Sequence, residues 1–459
     1  MNGKLQTEKP AQAHGCDHVA RLVHAHFGVE NHELCISGVP VSELLENYGS
    51  PLFVYDGSVI EKVITRVKTI LPPTFDLYYS MKANPNASIL KLMLQERLGL
   101  EVASGGELFQ ALQAGCPPER IIFAGPGKSA AELSAAVSRG IREVHIESPE
   151  EAATLSRLAA ATGTEVNVAL RVNPVDAAGG AMRMGGRPSQ FGIDEEDLER
   201  TVSIIGGLPG LRISGVHLFM GTQILDAEIL LEQYQRALAI ARRVALQIGR
   251  PLRSIDLGGG WGTPYFPNER CLDLNRLETV LQQVQQEMSS DAMLSDAVAM
   301  VEPGRFLVNE SGLYLSRVTR VKESRGKTFA VIDGGMHHHL AASGNLGQTI
   351  KRNFPVAIVN KLNCDASIPT EVVGPLCTPL DTLARGAVLP PVVAGDVLGV
   401  FQSGAYGRTS SPHGFLSHAA PPEVLVRGGK SWLIRRRGEA MDSLADQPQG
   451  SNAGGNVDV

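Results

Sequence analysis

Short apolar runs rich in β-branched residues recur through the middle of the chain, at 75–80, 100–103, 121–124, 143–147, 166–172, 213–219, 254–257 and 298–302. Between them, segments 87–98, 106–114, 149–161, 226–248 and 274–288 carry apolar residues at helical spacing. In the fourth of these, Ile229, Leu230, Tyr234, Leu238 and Ala241 mark one face. Eight strands alternating with helices over about 230 residues is the count of a (β/α)8 TIM barrel, an α/β fold. A doubly wound sheet is the alternative.

After residue 310 the rhythm changes. Runs at 313–321, 328–332, 356–359, 371–373, 397–401 and 423–427 read as strands separated by Gly/Pro turns, which predicts a C-terminal β domain. Segment 34–55 is also strand-like. The expected divisions are an N-terminal extension over 1–33, with a short helix at 19–27, and a strand segment over 34–60 that joins the β domain. The barrel follows over 61–310, the β domain over 311–437, and a polar, Gly-rich, disordered tail over 438–459.

Composition narrows the class. The 459 residues include 43% hydrophobic positions, enough for a sizeable core, and the 49 glycines and 27 prolines are scattered rather than periodic. A formal charge of -6 without long charge blocks gives no electrostatic footprint for nucleic acid. No apolar run is long enough to span a bilayer, and the first thirty residues lack the apolar stretch of a secretory leader. The six cysteines form no CxxC pair. A reduced, cytoplasmic setting is expected.

Three strand ends carry candidate chemistry. Lys82 closes the first, in Tyr78-Tyr79-Ser80-Met81-Lys82-Ala83-Asn84, where barrel enzymes place their active sites. With little negative charge nearby in sequence, its amine is expected to have a lowered pKa and to form a Schiff base with a carbonyl. A strand-end lysine reaching solvent is the commoner case. Gly258-Gly259-Gly260 ends the seventh strand and lets backbone N–H groups approach an anion, where a simple turn needs one glycine. Glu302-Pro303-Gly304-Arg305 ends the eighth, where the carboxylate can keep a heterocyclic nitrogen protonated and the guanidinium can clamp a phosphate; a surface ion pair is the plainer reading. In the second domain Cys377, followed by Asp381, is a candidate proton donor, though a lone cysteine is more often a small buried hydrophobe. Tyr406 stands in the glycine-flanked run Gly404-Ala405-Tyr406-Gly407. His337-His338-His339 invites a metal reading, but adjacent residues on a strand point to opposite faces, so no metal is expected there.

Taken in order, these fragments resemble the ornithine/diaminopimelate/arginine decarboxylases, pyridoxal-phosphate enzymes whose relatives include alanine racemase. The likeness covers roughly residues 34–428. It runs through Pro51-Leu52-Phe53-Val54-Tyr55-Asp56, Tyr79-Ser80-Met81-Lys82-Ala83-Asn84, Arg171-Val172-Asn173-Pro174 and Gly221-Thr222-Gln223. It continues through the triple glycine, Glu302-Pro303-Gly304-Arg305, Gly374-Pro375-Leu376-Cys377 and Gly404-Ala405-Tyr406-Gly407. The opening segment and the Ser-x-Lys-Ala-Asn form lean towards diaminopimelate decarboxylase. The resemblance implies that Lys82 binds pyridoxal phosphate as a Schiff base and that Glu302 protonates the pyridine nitrogen. It further implies that Gly258, Gly259, Gly260, Thr222, Arg305 and Tyr406 hold the phosphate. Cys377, from the neighbouring subunit of a homodimer with shared active sites, would reprotonate Cα. Substrate-binding positions would fall on Arg171, Thr378 and Asp381.

The departures from the family pattern bear on substrate. The position of the histidine that stacks on the cofactor ring aligns with Phe219, with His217 two residues earlier on the same face, and either is open as the stacking group. The acidic residue after the motif cysteine is Thr378. The Arg-Pro pair that reads a substrate carboxylate is replaced within His337-His338-His339-Leu340-Ala341-Ala342. The expected activity is therefore α-decarboxylation of an amino acid, with a group tethered to an acyl carrier protein, such as glutamyl, as the candidate substrate. Decarboxylation of free meso-diaminopimelate to lysine, or of another diamino acid, is one alternative. Others are an amino-acid racemase, a Schiff-base aldolase on Lys82 without a cofactor, and a non-enzymatic pyridoxal-phosphate-binding regulator.

Overall fold

The computed structural model describes residues 14–175, 182–183, 188–346, 348 and 351–447. Eight strands form its centre: β1 (Phe75–Ser80), β2 (Gly99–Val102), β3 (Ile121–Phe123), β4 (Glu143–Ile146), β5 (Val166–Asn173), β6 (Leu211–His217), β7 (Ser254–Asp256) and β8 (Val298–Val301). Each runs parallel to its neighbours, and β8 pairs with β1 to close the ring. Closure excludes the doubly wound sheet. The strand ends lie within two residues of those the hydrophobic runs predict.

The five anticipated helices are present, and three more complete the outer layer: Gly57–Ile70, Ala130–Arg139 and Leu198–Gly206. The second of these is alanine- and serine-rich, with too weak an apolar stripe to announce itself. Its start is fixed by a reciprocal cap, in which the Ser129 side chain accepts from the Glu132 amide and the Glu132 side chain accepts from the Ser129 amide.

In the β domain the long strand Gly312–Ser324 pairs with Lys327–Ile332, Val397–Phe401 and Leu52–Asp56. Strands Thr382–Leu389 and Lys430–Arg435 were not anticipated. Of the N-terminal segment Leu52–Asp56 joins the sheet of this domain, antiparallel to Gly312–Ser324 and parallel to Glu423–Arg427, while Leu34, Ile36, Val41 and Leu44 pack into one core with Leu313, Val359 and Phe401. The strand reading of the rest of 34–60 is corrected. Glu33–Ile36 belongs to a separate three-stranded sheet, and Val41–Tyr48 is a helix that buries Val41, Leu44 and Leu45. Asp56 then caps Gly57–Ile70 by accepting from the Ser58 and Val59 amides, which joins the β domain to the barrel directly.

The helix expected at 19–27 spans His14–His26. The tail expectation fails for 438–447, where a 3₁₀ turn at Ala440–Leu444 is held by Asp442, which accepts from Arg436; residues 448–459 lie outside the described residues. Among the described residues no helix is long and apolar enough to cross a membrane.

Candidate active site at the barrel mouth

After Ser80 the chain takes one 3₁₀ turn, Met81–Ala83, that buries Met81 and Ala83 and turns Lys82 into the barrel mouth. The register of β1 on β2 sets Ser80 opposite Glu101. The Glu101 carboxylate, only 2% exposed, accepts from the Ser80 hydroxyl and lies 3.1 Å from Lys82 Nζ. Burial opposes the charge on Lys82, but Glu101, with smaller contributions from Tyr406 and Glu302, outweighs it and raises the amine above its ordinary value. The expectation of a lowered pKa is corrected: the negative charge absent from the local sequence comes from the adjacent strand. Burial pushes Glu101 the other way, yet Lys82 and Ser80 hold it below the usual carboxylate value.

The triple glycine is required by backbone contact between three strand-end loops. A Cβ on Gly258 would meet Leu218 O at 2.6 Å, one on Gly259 would meet Glu302 O at 2.4 Å, and one on Gly260 would meet Gly221 O at 2.5 Å. Gly258 and Gly260 also take φ of +68° and +91°, a region costly for other residues. The three glycines differ in use. Gly259 and Gly260 line a pocket together with Ser80, Lys82, Phe219, Thr222, Trp261, Glu302, Gly304, Arg305 and Tyr406. Gly258 is not among the lining residues, and its amide donates to Asp256 Oδ1 at 2.8 Å. The expected phosphate contact from Gly258 is therefore corrected to a structural turn.

Arg305 is fixed from two sides. Its guanidinium lies 4.6 Å from the Tyr406 ring centre and 5.5 Å from that of Tyr265, and it donates to the Tyr265 hydroxyl at 2.6 Å. Its buried Nε has no hydrogen-bond partner among the described residues. Tyr406 itself has φ of +52°, and its amide donates to Ala83 O at 2.8 Å, which ties the β domain to the turn that carries Lys82.

Behind Lys82 lies a buried polar floor. Glu302 is 5% exposed, and its Oε1 finds no partner among the described residues. Burial, then the charges of Asp256 and Glu101, hold its carboxyl well above the usual range. The two stacking candidates separate. Phe219 lines the pocket, with its ring centre 5.9 Å from Lys82 Nζ. His217 is buried in the floor, 3.7 Å from Glu302 Oε2 and 3.0 Å from His145. His145, His217, Asp256 and Glu302 bring one potential ligand atom each within 4.8 Å of one another.

The remaining predicted residues lie away from this pocket within the chain. Arg171 is buried against Glu147 at 2.8 Å, with its guanidinium 4.9 Å from the Phe191 ring centre. Cys377 is exposed and Thr378 only partly buried; neither is among the pocket-lining residues. Asp381 is buried and accepts from the Met336 and Leu376 amides at 2.6 and 2.9 Å. Its two oxygens tie the Met336 turn to the Cys377 loop, so it braces that loop from within and does not line the pocket.

His337, His338 and His339 occupy a turn, not the strand assumed from sequence, and all three are buried. The His338 ring hydrogen-bonds Tyr314 Oη at 3.0 Å, and the His339 ring bonds Ser403 Oγ at 3.0 Å. Burial pushes the three down to about 4, about 2 and about 3, so this stretch is uncharged at neutral pH.

A cationic amine open to the pocket, bare backbone amides beside an unpartnered Arg305 Nε, and an unpartnered Glu302 oxygen form one donor set. It suits an aldehyde, a phosphate and a ring nitrogen together, so the residues fit the cofactor that the resemblance implies. Sequence reading missed Glu101, Asp256 and His145. Each is a charged or polar residue inside a short, fully buried barrel strand, and that placement was the available signal. A larger cleft between helix His14–His26 and the β domain is lined by Val23, Phe27, Phe266 and Phe354 and holds none of the predicted catalytic groups.

Comparison with known proteins agrees with this geometry. The profile of the family described as pyridoxal-dependent decarboxylase, pyridoxal binding domain, matches residues 57–309. The L-glutamyl-[BtrI acyl-carrier protein] decarboxylase of Niallia circulans is 37% identical over 413 residues, covering 89% of this chain and 96% of that protein. The diaminopimelate decarboxylase of Aquifex aeolicus is 31% identical over 407 residues, covering 88% and 93%. The crystal structure of the Helicobacter pylori diaminopimelate decarboxylase with L-lysine superposes with a TM-score of 0.80 at 29% identity, covering 88% of this chain and 98% of that one.

Proposed function

Since the chain belongs to the pyridoxal-dependent decarboxylases, we propose that it removes the α-carboxylate of an aminoacyl group, such as glutamyl, tethered to an acyl carrier protein. The observation that carries the substrate assignment is the neutral stretch beside the Cys377 loop. Residues 337–342 contain no arginine or lysine, their three histidines are buried and uncharged at neutral pH, and Met336 is tied to the loop through Asp381. Where the decarboxylases this chain resembles carry an Arg-Pro pair and an acidic residue after the motif cysteine, it has His337–Ala342 and Thr378, so the distal charges of a free diamino acid lose two partners that an uncharged thioester does not need. The Niallia circulans relative, named for a carrier-bound glutamyl substrate, supports the same reading.

When bound, pyridoxal phosphate supplies the electron sink for the pair left at Cα as CO2 departs. The chain's own groups have distinct tasks. Lys82 binds the cofactor aldehyde through its Nζ. Glu302 holds a proton at the pyridine nitrogen. The Gly259 and Gly260 amides, Thr222, Arg305 and Tyr406 bind the phosphate, and Phe219 covers the ring in place of His217. Cys377 gives a proton to Cα. The exposure of Cys377 and its absence from the lining of its own chain's Lys82 pocket support a role at the pocket of a second subunit, in a dimer with shared sites.

The test is CO2 release from glutamyl-carrier thioester, free glutamate and free diaminopimelate. Turnover of the thioester well above the free amino acids is expected. Rapid conversion of diaminopimelate with an inert thioester would overturn the substrate assignment, and racemisation without CO2 would overturn the reaction.

A further inference from the structure

The pocket floor continues into a chain of polar side chains that the reaction above does not use. From Glu302 Oε2 it runs 3.7 Å to His217 Nε2, then from His217 Nδ1 3.0 Å to His145 Nδ1. From His145 Nε2 it reaches Glu143 Oε1 at 3.4 Å and Asp256 Oδ2 at 3.8 Å. Glu143 is anchored at the far end, accepting from the Ser214 and Ser254 hydroxyls at 2.7 and 2.5 Å. All of these side chains are at most 5% exposed. Glu302 Oε1, Asp256 Oδ2, His145 Nε2, His217 Nε2 and Glu143 Oε1 find no hydrogen-bond partner among the described residues. These atoms in one dry cluster, with the Asp256 and Glu302 carboxyls close enough to share a proton, leave room for more than one proton arrangement.

We propose that His217 and His145 are positioning residues that relay a proton's charge between Glu302 and His145, where Glu143 and Asp256 face it, and so set the charge that Glu302 presents to the ring nitrogen of the cofactor. The inference rests on the cofactor reading above. Two nitrogens facing each other at 3.0 Å require one N–H and one bare lone pair, so the pair has two arrangements. In the first, Glu302 carries its proton, His217 is protonated on Nδ1, and neutral His145 is protonated on Nε2 towards Glu143. In the second, the Glu302 proton has moved to His217 Nε2 and the His217 Nδ1 proton to His145 Nδ1. His145 is then an imidazolium between Glu143 and Asp256, and Glu302 is a carboxylate. Two protons shift, none enters or leaves, and one positive charge is exchanged across the barrel. An empty pocket, where Asp256 and Glu101 repel a charge on Glu302, favours the first arrangement. A protonated ring nitrogen beside Glu302 favours the second. The link at 3.7 Å exceeds hydrogen-bond length, and its closure by rotation of the Glu302 carboxyl is part of the proposal.

The test measures pyridoxal-phosphate affinity of the full-length apoprotein by absorbance titration, with circular dichroism as a check on folding. His217→Phe and His145→Asn should each weaken binding by about tenfold or more, the scale of a hydrogen bond to a charged group. His217→Gln, which keeps one donor towards Glu302, should recover most of that loss. In a Glu302→Gln background, His217→Phe should change affinity by less than about twofold, because the relay has no terminus. Equal losses in both backgrounds would reduce His217 to packing, and no loss from His217→Phe in the otherwise wild-type protein would sink the relay alone. A wild-type protein that carries stoichiometric zinc, lost in His145→Asn, would make the cluster a metal site and overturn the relay. Failure of the wild type to bind pyridoxal phosphate would overturn the cofactor reading with it.

Discussion

Gly259→Ala isolates the phosphate cradle from the chemistry of Lys82. The Gly259 backbone lies outside the left-handed region, so alanine is tolerated conformationally, and the penalty is one of space. The new Cβ stands 2.4 Å from Glu302 O and must retreat to at least 3.0 Å. Neither side yields freely, because the Glu302 amide donates to Gly258 O at 2.9 Å and β8 is paired with β7. Relief comes by displacing 302–305, which carries the Glu302 carboxyl and the Arg305 guanidinium away from the pocket together. Overpacking of this size costs about 1–3 kcal/mol. If it falls on the bound state, affinity for pyridoxal phosphate drops about 5- to 150-fold. The assay is cofactor titration of the apoprotein, with Gly127→Ala as the control, since a Cβ there meets nothing within 4 Å. Wild-type affinity in Gly259→Ala would refute the idea that these loops close directly on the phosphate.

Two further outcomes follow. Mixing inactive Lys82→Ala and Cys377→Ala proteins should restore about a quarter of wild-type activity, because half the random dimers carry one intact shared site; no recovery on demonstrated subunit exchange would place Cys377 in its own chain's site or outside the reaction. The buried histidines predict acid sensitivity: His337, ordinarily near 6.5, is pushed down to about 4, so the unfolded chain binds more protons between these values. Stability from this group is present above pH 6.5 and lost as pH falls towards 4. His337→Asn should flatten the decline in urea stability by up to about 1.4 kcal/mol per pH unit across that window, and an unchanged slope would contradict the assignment.

The barrel was legible because each parallel strand is buried on both sides and therefore appears as a short continuous apolar run. Lys82, the glycines, Glu302 and Arg305 were legible for a related reason, since they end such runs, where the fold collects its chemistry. What escaped depends on partners remote in sequence. Lys82 looked uncompensated until β2 brought Glu101 beside it, and Asp381 looked like a pocket residue until two backbone amides took its oxygens. Val41–Tyr48 read as strand because its apolar positions lie between two genuine strands, and tertiary packing on Leu34 and Val54 decided for helix. Phe219 and His217 share a strand face by alternation, but the strand ends at His217, and Phe219 stands on the loop beyond it at the pocket.

The central claim is that Lys82 carries the cofactor. Reducing the loaded enzyme with borohydride, digesting it and locating the pyridoxyl group by mass spectrometry tests this directly. The account predicts the label on Lys82 and its disappearance in Lys82→Ala; a label on any other lysine, or an unlabelled Lys82 peptide from a decarboxylating enzyme, would contradict it.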